Sequence, residues 1–235
     1  MPRRVRSPVN RTTSEWSTRE LLCELLRLFY AKNWVSGTGG GICGVTESGK
    51  LGRAGKVLVA PTGVHKERVA PADLFVVDAA SGELVSRPRN PALRLSECSP
   101  IFCEIIRTKA AGSVMHSHAL SAVLAGDLAE GGNQVVFQQF EMLKGIKGAT
   151  NQDQHAVAII DNTGYEPDLL HQMRNVLADP AFAKSYCILV RDHGAYVWGA
   201  DIWETKRHAE IYHFLCEGTV ARAEQRSAVS KARFP

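Results

Sequence analysis

The chain has 235 residues, of which 45% are hydrophobic, and a formal net charge of +4. That size suits one globular domain, and no apolar run approaches the roughly 18–20 residues that a membrane span requires. The surplus charge is carried by Arg3, Arg4, Arg6 and Arg11, all ahead of the first acid, Glu15, so the body is near neutral and lacks the clustered basic face that nucleic acid requires.

Residues 1–16 read as a disordered basic arm, 17–228 as a single domain and 229–235 as a tail. The arm has no apolar core of the kind a secretory signal carries. The six cysteines (Cys23, Cys43, Cys98, Cys103, Cys187 and Cys216) form no Cys-x-x-Cys pair, as expected of a reducing, cytoplasmic setting.

Ser17 and Glu20 make a capping-box pattern ahead of Leu21, Leu22, Leu25, Leu28 and Phe29, which predicts a helix over 17–32. It ends at Ser36-Gly37-Thr38-Gly39-Gly40-Gly41, a loop able to bring backbone N–H groups close to an anion, though on glycine content alone a mobile turn explains it as well. Lys56–Ala60 is a predicted strand running into Pro61-Thr62-Gly63-Val64-His65-Lys66. Its hydroxyl, glycine amide and lysine make a second anion-friendly loop. A hairpin over 74–85 follows, then an irregular stretch and a helix over 99–109 with Pro100 in its first turn.

The strand after that helix ends in His116-Ser117-His118. Side chains two apart on a strand share a face, so both imidazoles can reach one ion. His-x-His alone occurs in many surface strands; a third candidate, His193, lies in an Asp192-His193-Gly194 turn between two β-prone runs. Three imidazoles with one open position are a usual catalytic zinc arrangement. Downstream, 119–129 and 166–178 read as helices, 134–137 and 156–160 as strands, and 201–226 as a long helix. Strands interleaved with helices, with hairpins among them, predict an α/β fold: a mixed, largely antiparallel sheet covered by helices. On the residues alone Glu141 is a glutamate at a helix start, favoured there by the macrodipole.

Five segments, taken together and in order, resemble the class II aldolase/adducin superfamily: Asn33–Gly41, Ala60–Arg68, His116–His118, Phe140–Lys147 and Leu189–Gly199. They are most similar to its members that dehydrate the phosphorylated ketose 5-methylthioribulose 1-phosphate in methionine salvage. The resemblance implies a class II aldolase-like fold, a zinc ion in each subunit held by His116, His118 and His193, Glu141 as catalytic acid/base and Cys98 as a substrate contact. It also implies a phosphate site at Gly40, Thr62 and Gly63, and a homotetramer with its site near a subunit boundary. Thr62 departs from the more usual serine, and Gly41-Ile42-Cys43-Gly44 lacks the serine that commonly follows the isoleucine. An aldolase or epimerase would use the same metal and loops; the Phe140–Gly145 segment favours the dehydratase. A non-enzymatic adducin-like head would not need all three histidines.

Overall fold

The computed structural model describes residues 14–46 and 55–233. The expected basic arm lies outside the described residues as far as residue 13. Helix α1 spans Glu15–Ala31 and starts earlier than expected, because Ser14 rather than Ser17 is its N-cap and accepts from the Ser17 amide. The extra turn is held by Arg19–Glu15 and Trp16–Glu20 contacts one turn apart, a local gain of a few tenths of a kcal/mol each.

The strands are β1 (Gly41–Val45), β2 (Lys56–Val59), β3 (Phe75–Asp78), β4 (Leu84–Ser86), β5 (Ser113–Ser117), β6 (Gln134–Phe137), β7 (His155–Ile160), β8 (Cys187–Val190) and β9 (Gly194–Gly199). They form a sheet in the order β4-β3-β2-β1-β5-β9-β8-β7-β6. Every neighbouring pair is antiparallel except β7 and β8, so the mixed, largely antiparallel sheet is as expected. The remaining helices are α2 (Ser99–Lys109), α3 (Leu120–Asp127), α4 (Leu170–Ala178) and α5 (Ile202–Arg233). The segment expected as one helix over 166–178 opens as a 3-10 turn, Glu166–Leu169, before α4. Helix α5 runs on through Arg233, so the tail expected from 229 is largely helical.

Both sheet faces are apolar, and period-two alternation sorts the side chains into two cores. Leu58, Met115, Leu189, Ala195 and Val197 point to one face, where they meet Leu22, Leu26 and Phe29 of α1 and Ala209, Tyr212 and Leu215 of α5. Val57, Val59, Val114, Ile188, Val190, Tyr196 and Trp198 point to the other, against Ile101, Phe102 and Ile105 of α2 and Met173 and Leu177 of α4. Each fully buried Leu, Ile or Phe here contributes about 1.5–3 kcal/mol. The α5 start is held reciprocally: Asp201 accepts from the Glu204 amide at 2.7 Å and the Glu204 carboxylate accepts from the Ala200 amide at 2.8 Å. Central strand β5, flanked by β1 and β9, carries His116 near its end, directly opposite Gly41 and Tyr196.

Candidate functional site

His116, His118 and His193 converge as the spacing predicted. His116 and His118 come from the end of β5, and His193 from the turn joining β8 to β9. That turn closes tightly over β5, because a Cβ at Gly194 would collide with the Ser117 carbonyl. The three Nε2 atoms lie 2.8 Å (116–118), 3.2 Å (116–193) and 3.1 Å (118–193) apart.

The outer nitrogens set the tautomers. His116 Nδ1 is 3.2 Å from the Ala195 carbonyl, which only accepts, so the proton is on Nδ1. His193 Nδ1 donates to Asn162 Oδ1 at 3.0 Å, and the same oxygen accepts from the Thr163 amide. Both Nε2 atoms therefore present lone pairs to a common point. Burial, reinforced by the neighbouring imidazoles, pushes His116 and His118 down to about 3, so neither relieves the crowding by taking up a proton. Converging lone pairs repel unless a cation sits among them. Imidazole ligands about 2.0–2.1 Å from a tetrahedral zinc ion stand about 3.3 Å apart, close to the spacing here, so the donor set fits such a metal.

The site opens on the α2/α4 face of the sheet. There the Tyr196 ring stacks on His116 with centroids 4.2 Å apart, and its hydroxyl donates to Glu166. The Glu166 carboxylate lies 3.3 Å from His116 Nε2 and 3.5 Å from His193 Nε2. Cys98 precedes α2, and its thiol groups with His116 and Glu166 as a possible ligand set. Burial, with the Glu166 charge adding to it, pushes that thiol up to about 12, so Cys98 is a neutral thiol rather than a nucleophile. Glu166 is the residue sequence reasoning missed. Asn162-Thr163-Gly164-Tyr165-Glu166-Pro167 reads as a turn and helix start, and nothing local says that this turn folds back onto β5 and β9.

The two glycine loops reach the same region. Gly40 has φ 65°, and a Cβ there would lie 2.7 Å from the His116 carbonyl, so only glycine lets the first loop seat on β5. Thr62 bridges Arg94, its amide donating to the Arg94 carbonyl at 3.0 Å, and Gly63 faces the Arg94 guanidinium. Lys66 joins the loops, donating to the carbonyls of Thr38 and Val64.

Glu141 stands elsewhere. It opens the 3-10 turn Glu141–Gly145, its side chain is 70% exposed, and its carboxylate accepts from Lys144 at 2.6 Å and Asn151 at 2.8 Å. The next residues, Leu143 and Ile146, pack into the α1/α5 core, on the opposite face of the sheet from Tyr196 and Cys98. Three other histidines are structural. His213 stacks on Trp34 and bonds Ser117, His155 bonds the Tyr212 hydroxyl, and His208 donates to the Trp198 carbonyl.

The family model described as Class II Aldolase and Adducin N-terminal domain matches residues 20–220. The chain is 41% identical over 204 residues to a methylthioribulose-1-phosphate dehydratase of Osmerus mordax, covering 84% of this chain and 80% of that one. It is 37% identical over 208 residues to a probable bifunctional methylthioribulose-1-phosphate dehydratase/enolase-phosphatase E1 of Zea mays, covering 86% of this chain; there it spans only 40% of the relative's length. Among solved structures, an L-fuculose 1-phosphate aldolase superposes with TM-score 0.67 at 16% identity, over 88% of this chain and 86% of that one. On this evidence the chain belongs to the class II aldolase and adducin N-terminal domain family.

Proposed function

We propose that the protein is a zinc-dependent hydro-lyase that converts 5-methylthioribulose 1-phosphate to 2,3-diketo-5-methylthiopentyl 1-phosphate and water, a step of methionine salvage carried out in the cytoplasm. The single observation that carries this reading is the triangle of His116, His118 and His193 Nε2 atoms, with Glu166 beside it and the first glycine loop seated on the same strand end. The names of the relatives above supply the substrate. No helix among the described residues is long and apolar enough to cross a membrane.

The three histidines would hold the metal, which when bound supplies a Lewis acid at the substrate's oxygens. The loops around Gly40, Thr62 and Gly63 bind the phosphate, and so fix the distance between the phosphate end and the reacting carbons. Cys98, buried beside His116 and Glu166 as a neutral thiol, contacts the substrate. Tyr196 stays protonated, because burial raises its phenol well above the usual range, and it orients Glu166.

Glu141 is assigned one of the two proton transfers, removal of the proton from carbon or its delivery to the leaving hydroxyl. Its segment belongs to the opposite helical layer from its own triad, so in this reading it serves the triad of a neighbouring subunit in a homotetramer. An aldolase or epimerase would share the metal and the loops but form no vicinal diketone. Trapping with an aromatic 1,2-diamine, which condenses with vicinal diketones, separates the dehydratase from the other two: the dehydratase gives the adduct, and its absence with zinc-replete protein counts against the reading.

A further inference from the structure

Lys66 is only 1% exposed, the most buried lysine, arginine or carboxylate among the described residues. Buried charges are ordinarily paired. Glu104, the buried carboxylate, follows that rule and holds both Arg107 and Arg174. Lys66 does not: it takes part in none of the ion pairs among the described residues. Its ammonium donates instead to two backbone carbonyls, Thr38 at 2.6 Å and Val64 at 3.1 Å. These belong to the two glycine loops. An ammonium carries three donors, so one remains uncommitted. The side chain crosses the first loop at Gly41, where an added Cβ would lie 3.8 Å from Lys66 Cε.

None of the groups around the ammonium forms an ion pair with it. Glu67, the next residue, is near enough for its charge to favour the ammonium but makes no ion pair with it and lies 3.8 Å from Arg68 instead, Cys98 is kept a neutral thiol by burial, and His116 and His118 are kept neutral as well. The ammonium is therefore a buried charge without an ion-pair partner among the described residues, set behind two loops that it joins, the first of which lies against His116 and His118.

We propose that Lys66 is the positioning cation of the anion subsite, and that the counter-ion it lacks is the phosphomonoester dianion of the substrate. The proposal rests on the reading of the two loops as the phosphate site and names the charge that makes them one. Lys66 turns the Thr38 and Val64 carbonyl oxygens, which would repel an anion, inward toward itself. In a trans peptide the N–H points opposite to the C=O, so the Val64–His65 unit then directs its N–H away from the ammonium. The unit charge behind the loops attracts the dianion without forming part of the reacting centre.

The test is calorimetric titration of the zinc-loaded full chain with inorganic phosphate at pH 8, on wild type, Lys66→Met and Thr62→Asp, with zinc content measured on each. The expected result is about 10–100-fold weaker phosphate binding in Lys66→Met, the worth of a charge-assisted bond, with zinc retained, and a comparable loss in Thr62→Asp. Wild-type affinity in Lys66→Met with loss in Thr62→Asp leaves the loops as the phosphate site and overturns the role of Lys66. No phosphate binding by wild type, or equal binding by all three, overturns the loop reading and the proposal together. Should Lys66→Met fail to fold, sulfate affinity of the wild type against pH decides, because sulfate keeps its charge throughout. Burial lowers the Lys66 ammonium below its ordinary 10.5, so affinity should fall as the pH approaches that value, and a flat profile overturns the proposal.

Discussion

His116 Nε2 and Glu166 Oε1 lie 3.3 Å apart, and the histidine has no proton to offer across that gap, because its Nδ1 proton is committed to the Ala195 carbonyl. A carboxylate facing an imidazole lone pair is stable only with a cation nearby or a proton on the acid. Glu166→Gln should therefore weaken zinc binding about 10–100-fold in a chelator competition, the usual cost of removing a group that supports a metal site. Tyr196→Phe, which removes only the hydroxyl that orients Glu166, should cost less. Unchanged zinc affinity in Glu166→Gln would place the carboxylate outside the metal's influence.

His193→Ala should lower zinc content and activity together while the chain stays folded, since its imidazole is held from the turn between β8 and β9 and is only partly buried. His208→Ala is the control. Its Nδ1 donates to the Trp198 carbonyl at 2.7 Å, within the α5 packing, so the variant should lose stability but keep zinc. Metal analysis and a melting curve on both variants check this, and zinc loss in His208→Ala alone would mean that the ligand set is wrong.

If Glu141 transfers a proton, Glu141→Gln should keep zinc and substrate binding yet lose about 10²–10⁴-fold in turnover. If it only starts a helical turn, the variant loses a little stability and keeps its turnover. The subunit assignment has its own check: mixing Glu141→Gln with His193→Ala subunits should restore a fraction of the activity that neither has alone. Failure of a mixed oligomer to regain any would return Glu141 to its own subunit or remove it from the chemistry.

Some of this site was legible in the residues and some was not, for physical reasons. His116 and His118 were readable because strand periodicity places them on one face, and His193 because Asp-His-Gly between apolar runs makes a turn that points outward. Glu166 was not, because only the tertiary fold brings the 162–167 turn against β9. Lys66 was visible as part of an anion loop, but its burial depends on the first glycine loop, more than 20 residues earlier in the chain. The helix start was misplaced because both Ser14 and Ser17 can cap, and only the contacts of Glu15 and Trp16 decide between them. The sheet order joins β1 to β5 and β5 to β9, pairings between distant segments that local patterning does not encode.

Burial holds His155 and His213 down to about 4, against an ordinary 6.5. Between those values the unfolded chain binds more protons than the folded one, so stability rises with pH there and is lost as the pH falls from about 6.5 toward about 4. His116 and His118 push the same way in metal-free protein. Denaturant midpoints of the chelator-treated chain should therefore drop between pH 7 and pH 4.5, and His213→Gln should flatten the curve. Equal midpoints at the two pH values would contradict the neutral, buried state of these rings.

The central claim is that zinc on the histidine triad supports loss of water from a phosphorylated ketose. The most direct measurement is mass spectrometry of 5-methylthioribulose 1-phosphate after incubation with zinc-loaded protein, with a zinc-depleted control. The account predicts a product lighter by one water, formed only by the zinc-loaded protein and without fragments from carbon–carbon cleavage. An aldehyde fragment, an isomer of unchanged mass, or untouched substrate beside zinc-replete protein would contradict it.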